Sequence, residues 1–333
     1  MKQVVLAHAL TAAPTAADFT LIDAPYPDCP QDGLVVEVAH VSLDPYVGSR
    51  LRGRHMGEPA PRPGLDPIPG AVVGRVAQSR SPRAREGDAI HTMQGAWAEA
   101  VAVSGDAFRT IDPSVAPLSA HLGVLGMPGL TAWAGVAQLA KVGAGDVFLV
   151  DAAAGAVGGA AGQIARLKGA SRIVGLAGGP RKCAIVRDQY GFDACVDTHA
   201  QDWRAALEAA TPDGVSAHFE NVGQDILLAA LGRLRVNGRI VLCGLAAHYQ
   251  ADAPPAQIPI GAIIGKRAQV FGLVVYDFYD RWAAFLDEVA PLVRAGQLKI
   301  VEDRVDELEA APALFEKLMR GENVGKAVVY LTP

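Results

Sequence analysis

Residues Ala152-Ala153-Ala154-Gly155-Ala156-Val157-Gly158 constrain this chain more than any other stretch. An apolar run, 147–150, leads into them, and a small-residue segment, 159–167, leads away. Strand, glycine turn and helix in that order build a cradle for phosphate. Glycines let the backbone approach the ligand closely, while the helix N-terminus offers free N–H groups and a partial positive charge. The same short pattern also serves tight turns that bind nothing, so the rest of the chain has to decide.

The alternation around the cradle favours a nucleotide fold. Apolar strands are expected at 173–177, 194–196, 217–220, 239–243 and 269–275, with helices near 181–190, 203–210 and 225–234 between them. Pro180 suits the first position of its helix. Short apolar strands alternating with helices point to a parallel, doubly wound sheet. Helix 281–294 carries Trp282, Phe285, Leu286, Val289, Leu292 and Val293 as a core-facing stripe, despite Pro291. Before residue 115 the pattern is different. Segments 34–41, 71–77 and 96–103 are β-branched and broken by Gly and Pro, which indicates a β-rich domain. Pro59, Pro61, Pro63, Pro67 and Pro69 make 52–69 an irregular surface loop. Segment 119–142 is expected to be helical with a break inside it at Pro128-Gly129. A last strand, 326–331, has no place in the parallel sheet and is assigned back to the β-rich domain.

Composition narrows the function classes. The net charge of −5, without a basic cluster, excludes a nucleic-acid backbone as partner. No run reaches the roughly 18 apolar residues of a membrane span. Lys2 and the patch after it resemble a leader, but His8 interrupts the patch, and 4–7 is expected to be a first strand. Cys29, Cys183, Cys195 and Cys243 form no Cys-x-x-Cys pair, which suits reduced thiols in a cytoplasmic protein.

The end of the second strand addresses the cofactor. An acid about 20 residues after the glycine turn would read the ribose hydroxyls of NAD. Here the segment is Ala177-Gly178-Gly179-Pro180-Arg181-Lys182, without an acid and with two cations. Cations in a helix's first turn oppose the macrodipole, so a 2′-phosphate partner is favoured, and with it NADP(H).

These residues, with others, resemble the zinc-independent medium-chain dehydrogenase/reductases. Within them the chain is similar to the prostaglandin reductase, leukotriene dehydrogenase and alkenal (curcumin-type) double-bond reductase group. The resemblance rests on Leu43-Asp44-Pro45-Tyr46, on Leu122-Gly123-Val124-Leu125-Gly126-Met127-Pro128-Gly129-Leu130-Thr131-Ala132, and on 152–158 continuing into Gly162-Gln163-Ile164-Ala165. Phe219-Glu220-Asn221-Val222-Gly223, Cys243-Gly244-Leu245 with Tyr249, and Asn323-Val324-Gly325-Lys326 extend it along nearly the whole chain. It implies an α/β fold made of a GroES-like β-rich catalytic domain, residues 1–120 and 298–333, and a Rossmann domain, 121–297. It also implies a homodimer and NADPH-dependent reduction of the C=C bond of α,β-unsaturated ketones and aldehydes.

By the same resemblance, Gly155, Ala156, Val157 and Gly158 hold the pyrophosphate, and Gly178, Lys182 and Thr198 surround the 2′-phosphate. Met127, Thr131, Asn221, Cys243, Gly244, Leu245, Tyr249, Leu273, Val274, Val275 and Asn323 line the remainder of the cofactor. The chain departs from its relatives at Thr198, where Tyr is usual, and at Leu273, where Phe is common. Val47-Gly48-Ser49-Arg50 stands where Met-Arg-Gly-Arg is usual. These departures leave the cofactor reading intact and the substrate open.

Reducing an enone needs a hydride donor and a group that stabilises the developing enolate oxygen, but no metal. Tyr249 is the first candidate, as a donor to that oxygen or as a packing residue, and Tyr46 is the second. A Gly-His-Glu zinc motif is missing, since the comparable stretch is Pro69-Gly70-Ala71-Val72. No Tyr-x-x-x-Lys occurs, and the eight histidines form no His-x-x-x-His pair. Glu220 reads as a structural carboxylate at a strand end. The competing readings are a quinone reductase on the same fold and an NADPH-binding protein without turnover.

Overall fold

A computed structural model of the chain describes residues 1–105, 107–248 and 256–331. They group into two compact units: Met1–Leu122 with the tail from Val301, and Gly123–His248 with residues up to Ile300.

The first unit begins with the antiparallel pair β1 (Lys2–Leu6) and β2 (Phe19–Asp23). Then come β3 (Leu34–Ser42), a short helix α1 (Tyr46–Arg50), β4 (Val72–Ser79), β5 (Ala89–Thr92), β6 (Ala100–Val103) and β7 (Arg109–Thr110). The β3–β4 register shifts twice, between Val35 and Val36 and between Val38 and His40, which bends the sheet over its core. Trp97 sits in that core with Phe19 stacked at 5.5 Å and Phe315 edge-on at 5.2 Å. The proline-rich loop is irregular, as expected, but its end is not surface. Ile68 is fully buried, and Pro67 and Pro69 bridge to Val5 and Ala96.

The second unit starts with α2 (Met127–Trp133), which runs on into a π-helical stretch, Ala134–Leu139. Pro128 lies in the first turn of α2. The expected break is therefore a helix start, since proline's missing N–H costs nothing there. Next come β8 (Val147–Val150), α3 (Ala156–Leu167), β9 (Arg172–Ala177), α4 (Pro180–Asp188), β10 (Ala194–Asp197) and α5 (Trp203–Ala210). They are followed by β11 (Val215–Glu220), α6 (Gln224–Arg233), β12 (Leu234–Leu242), α7 (Ile260–Lys266), β13 (Gln269–Gly272) and α8 (Trp282–Arg294). β12 begins well before the expected residue 239. Its first half, Arg235 to Gly238, holds only the exposed Val236 as an apolar residue and lies beside a shift in the β11 register. β13 ends at Gly272 rather than at 275, and a 3₁₀ turn starts at Val275.

Among the described residues, these strands form one parallel sheet in the order β10-β9-β8-β11-β12-β13. The chain leaves β8 toward β9 on one side and later returns to place β11 on the other. The switch point of a doubly wound sheet is therefore at the carboxyl ends of β8 and β11. Trp282, Phe285, Val289 and Val293 are the buried stripe of α8.

The tail supplies β14 (Glu302–Asp306), α9 (Ala311–Met319) and β15 (Lys326–Tyr330), and β15 pairs antiparallel with β3. That pairing brings together two of the sequence motifs. Lys326 Nζ lies 2.8 Å from Asp44 Oδ1 and donates to Leu43 O at 2.5 Å, with both side chains about 5% exposed. Ser42 Oγ donates to the other carboxylate oxygen. Burial lowers the Lys326 pKa, and the Asp44 carboxylate opposes that shift. Gly325, at φ +70°, precedes the lysine, and a Cβ there would lie 2.0 Å from Val301 O. Removing one partner of a buried pair strands the other charge. Asp44→Ala is expected to lower stability by about 3–5 kcal/mol in urea titrations, and adding Lys326→Met to it should recover a large part of the loss.

Candidate active site

The cradle is built from the end of β8. Ala152 adopts φ +43°, Gly155 N–H donates to Ala152 O at 2.8 Å, and Gly155 caps α3 without any side-chain bond to its first turn. The first-turn N–H groups, Ala156 to Gly158, have no acceptor inside the helix, and no acid stands among them. A Cβ on Gly158 would lie 2.4 Å from Ala152 O, so only glycine lets the turn close this tightly. Ala153 N–H donates to Leu176 O, fastening the turn to β9. Open N–H groups, a positive helix end and no competing carboxylate fit the pyrophosphate of a dinucleotide.

Apart from Met127 and Thr131 on α2, the other described candidate residues of this unit follow the carboxyl ends of the remaining strands. Gly178 follows β9, and Lys182 lies in the first turn of α4. Thr198 follows β10, and its N–H donates to Ala177 O at 2.9 Å. Asp197 Oδ1 accepts from Gly179 N at 2.6 Å and His199 N at 2.9 Å. Those two backbone bonds hold its carboxyl below the ordinary range. Asp197, at the carboxyl end of β10, thus points back into the chain's own amides, away from the role of ribose reader.

Asn221 follows β11, and its backbone carbonyl accepts from Ala246 N. Cys243 and Gly244 follow β12 and both donate to Glu220 O, while Leu245 is 43% exposed. Burial pushes the Cys243 thiol up to about 12. Leu273 is buried with its N–H on Leu242 O, whereas Val274 beside it is exposed and Val275 half-buried. On α2, Thr131 Oγ1 donates to Met127 O at 2.8 Å, so that hydroxyl proton is committed within the helix.

The remaining candidates lie elsewhere. Tyr46 opens α1 in the first unit, with its ring 5.0 Å from His55, and Asn323 there is buried with Nδ2 on Gly325 O at 2.9 Å. Tyr249 is outside the described residues.

Sequence reasoning missed the group beneath the cradle. Asp151 directly follows β8, and His218 and Glu220 stand on alternate positions of β11, the strand paired with it. All three side chains are at most 1% exposed. His218 Nε2 lies 3.0 Å from Glu220 Oε2 and 3.7 Å from Asp151 Oδ2. Glu220 Oε1 accepts from Val222 N and Gly223 N, and Asp151 Oδ1 accepts from Asn221 N at 2.6 Å. Burial, then the Glu220 charge, raises the Asp151 carboxyl well above its ordinary value. Burial also pushes Glu220 up, but the His218 bond and charge outweigh it and hold that carboxyl below its usual value.

The spacing is metal-like, yet a ligating histidine normally donates its second nitrogen to an acceptor, and His218 Nδ1 is buried without one. A carboxylic acid at Asp151 sharing its proton with the Glu220 carboxylate accounts for the arrangement. The cluster ties the two strands of the switch point to the Asn221 turn. The only trace of it in the sequence is the alternation of His218 and Glu220 along one strand.

Family models match both parts of the chain: "N-terminal domain of oxidoreductase" over residues 2–111 and "Zinc-binding dehydrogenase" over 156–291. The chain is 35% identical over 341 residues to a 2-alkenal reductase (NADP(+)-dependent) of Nicotiana tabacum, covering 99% of this chain and 97% of the relative. It is also 35% identical to the NADPH-dependent curcumin reductase of Escherichia coli, over 98% of this chain and 95% of that one. The crystal structure of CurA in complex with NADPH from Vibrio vulnificus superposes with a TM-score of 0.91 at 32% identity, covering all of both chains. The chain belongs to the medium-chain dehydrogenase/reductase family, in its alkenal, curcumin and prostaglandin reductase group. Its membership agrees with a β-domain lacking the Gly-His-Glu zinc motif, although the second family model bears the name of the zinc enzymes.

A pH series tests the buried cluster. An acid whose folded pKa is raised stabilises fully below its unfolded pKa, and that contribution is lost as pH rises toward the folded value. Asp151→Asn removes this loss. Relative to the parent, the variant is expected to gain stability as the pH rises from 4 toward neutrality. Parallel stability curves would remove the raised Asp151 from the account.

Proposed function

We propose that this protein is an NADPH-dependent oxidoreductase that reduces the C=C bond of α,β-unsaturated ketones and aldehydes. The observation that carries the reading is the full-length likeness to alkenal and curcumin reductases, together with an open glycine cradle whose nearby acid is committed to backbone amides. Bound NADPH supplies the hydride for the β-carbon of the substrate.

The protein's part is to hold and orient. The first-turn amides of α3, at Gly155, Ala156, Val157 and Gly158, take the pyrophosphate. Lys182, with Thr198 and the Gly178 backbone, takes the 2′-phosphate. Met127, Thr131, Asn221, Cys243, Gly244, Leu245, Leu273, Val274, Val275 and Asn323 line the path from adenosine to nicotinamide. The phenol of Tyr249 donates to the substrate carbonyl oxygen as negative charge develops there, and Tyr46 borders the substrate. The α-carbon proton comes from water.

We place the protein in the cytoplasm as a homodimer. Among the described residues, no helix is long and apolar enough to cross a membrane, and the four cysteines are free. β13 is the edge of its sheet, with Val270 exposed, which suits a second copy. Sedimentation equilibrium decides between one chain and two.

Following NADPH oxidation against enones, quinones and simple aldehydes, with NADH as control, tests the activity. Enone turnover with a saturated-ketone product is expected. Quinone-only turnover, or binding without turnover, would replace this reading. Lys182→Ala should weaken NADPH binding by about 1.5–3 kcal/mol and leave NADH nearly unchanged. Tyr249→Phe should lower kcat at least tenfold, or about 1.36 kcal/mol. A change within twofold would end its role as donor.

A further inference from the structure

Cys183 and Cys195 come from different elements, yet their sulfurs lie 2.9 Å apart. Cys183 is buried in the first turn of α4, and Cys195 on β10 is half-buried on the strand face that α4 covers. Register explains the meeting. Cys195 pairs opposite Gly175 of β9, and Val196 points to the other face, into the cluster around Trp203. Asp197, two residues on, shares the α4 side and holds Gly179 N, the residue that caps α4. The dithiol therefore sits under the first turn of α4, one residue after Lys182 and three before Thr198.

We propose that Cys183 and Cys195 form a reversible intramolecular disulfide that lowers the affinity of the protein for NADPH. A hydroperoxide is the oxidant. Two S–H bonds and the O–O bond break, one S–S bond forms, and the two electrons and two protons pass to the peroxide oxygens, giving an alcohol (or water) and water. Closing the bond draws the sulfurs from 2.9 Å to covalent distance and pulls the start of α4 toward β10. Lys182 moves with it, so the effect on NADPH rests on the reading of Lys182 as the 2′-phosphate contact. Burial raises both thiols above their ordinary pKa, which keeps the pair reduced against mild oxidant and makes its oxidation faster as pH rises. The other two cysteines, Cys29 and Cys243, have no sulfur partner among the described residues, so the bond has one location.

The test treats the full-length protein with hydrogen peroxide at mildly alkaline pH, then counts alkylatable thiols after denaturation and maps linked peptides by mass spectrometry. Thiols should fall from four to two, with the Cys183 and Cys195 peptides joined, and dithiothreitol should restore all four. By fluorescence titration, the oxidised protein should bind NADPH about threefold or more weakly, with NADH affinity unchanged. Cys195→Ser should show no change in NADPH affinity after the same treatment. Four alkylatable thiols after peroxide, a different linked pair, or equal loss in the Cys195→Ser variant would overturn the proposal. Lys182→Ala in reduced protein separates the two readings. If it fails to discriminate NADPH from NADH, the phosphate contact is wrong, whereas the peptide map reports the disulfide in either case.

Discussion

Parallel pairing of β8 with β9 on one side and β11 on the other determines where nearly every candidate cofactor residue of the second unit ends up. In a parallel sheet all carboxyl ends lie at one edge, so the residues following each strand converge there although they are scattered from Gly155 to Val275. Among the described residues β8 and β11 pair directly, and the sheet continues from them in opposite directions. The opening left there is the place where a doubly wound sheet takes a dinucleotide. The glycines of 155–158 matter because the sheet puts them at that point.

The opening has to be held by groups that the sheet itself does not supply. Asp151 and Glu220 serve this purpose by accepting backbone N–H groups from the Asn221 turn, at the cost of burying two carboxyls side by side. A shared proton and His218 make that burial tolerable. The first unit uses the same device with opposite charges. Asp44 and Lys326 join the segment before α1 to the start of β15, so the turn carrying Tyr46 and the turn carrying Asn323 are held by one ion pair. In each unit a buried charged group links distant chain segments next to a candidate site.

Much of the architecture is legible in the sequence because local physics decides it. The strand at 147–150 is uniformly apolar because both of its faces are covered. The helix after it is recognisable by its small residues, and the stripe on α8 by its period. Less was legible where local signals mislead. Pro128 reads as a breaker but lies in the first turn of α2, where its missing N–H has no intrahelical acceptor to lose. The charged, largely half-buried strand β14, with sequence Glu-Asp-Arg-Val-Asp, has no apolar alternation to announce it and exists because β15 offers it a partner. The polar half of β12 is recruited in the same way.

The sequence by itself determined the class of fold, the glycine cradle and the missing ribose-reading acid. Each of these depends on residue types at short spacing: glycine where a Cβ cannot fit, an uncapped helix start, no carboxylate where one is needed. The family resemblance rests on the same local motifs. Only the tertiary structure decided the Asp44–Lys326 pair, the Asp151–His218–Glu220 cluster and the meeting of Cys183 with Cys195. Their partners lie 282, 67 to 69, and 12 residues apart along the chain. Contacts of that kind are set by strand register and helix docking, where a shift of one residue turns each side chain to the opposite face.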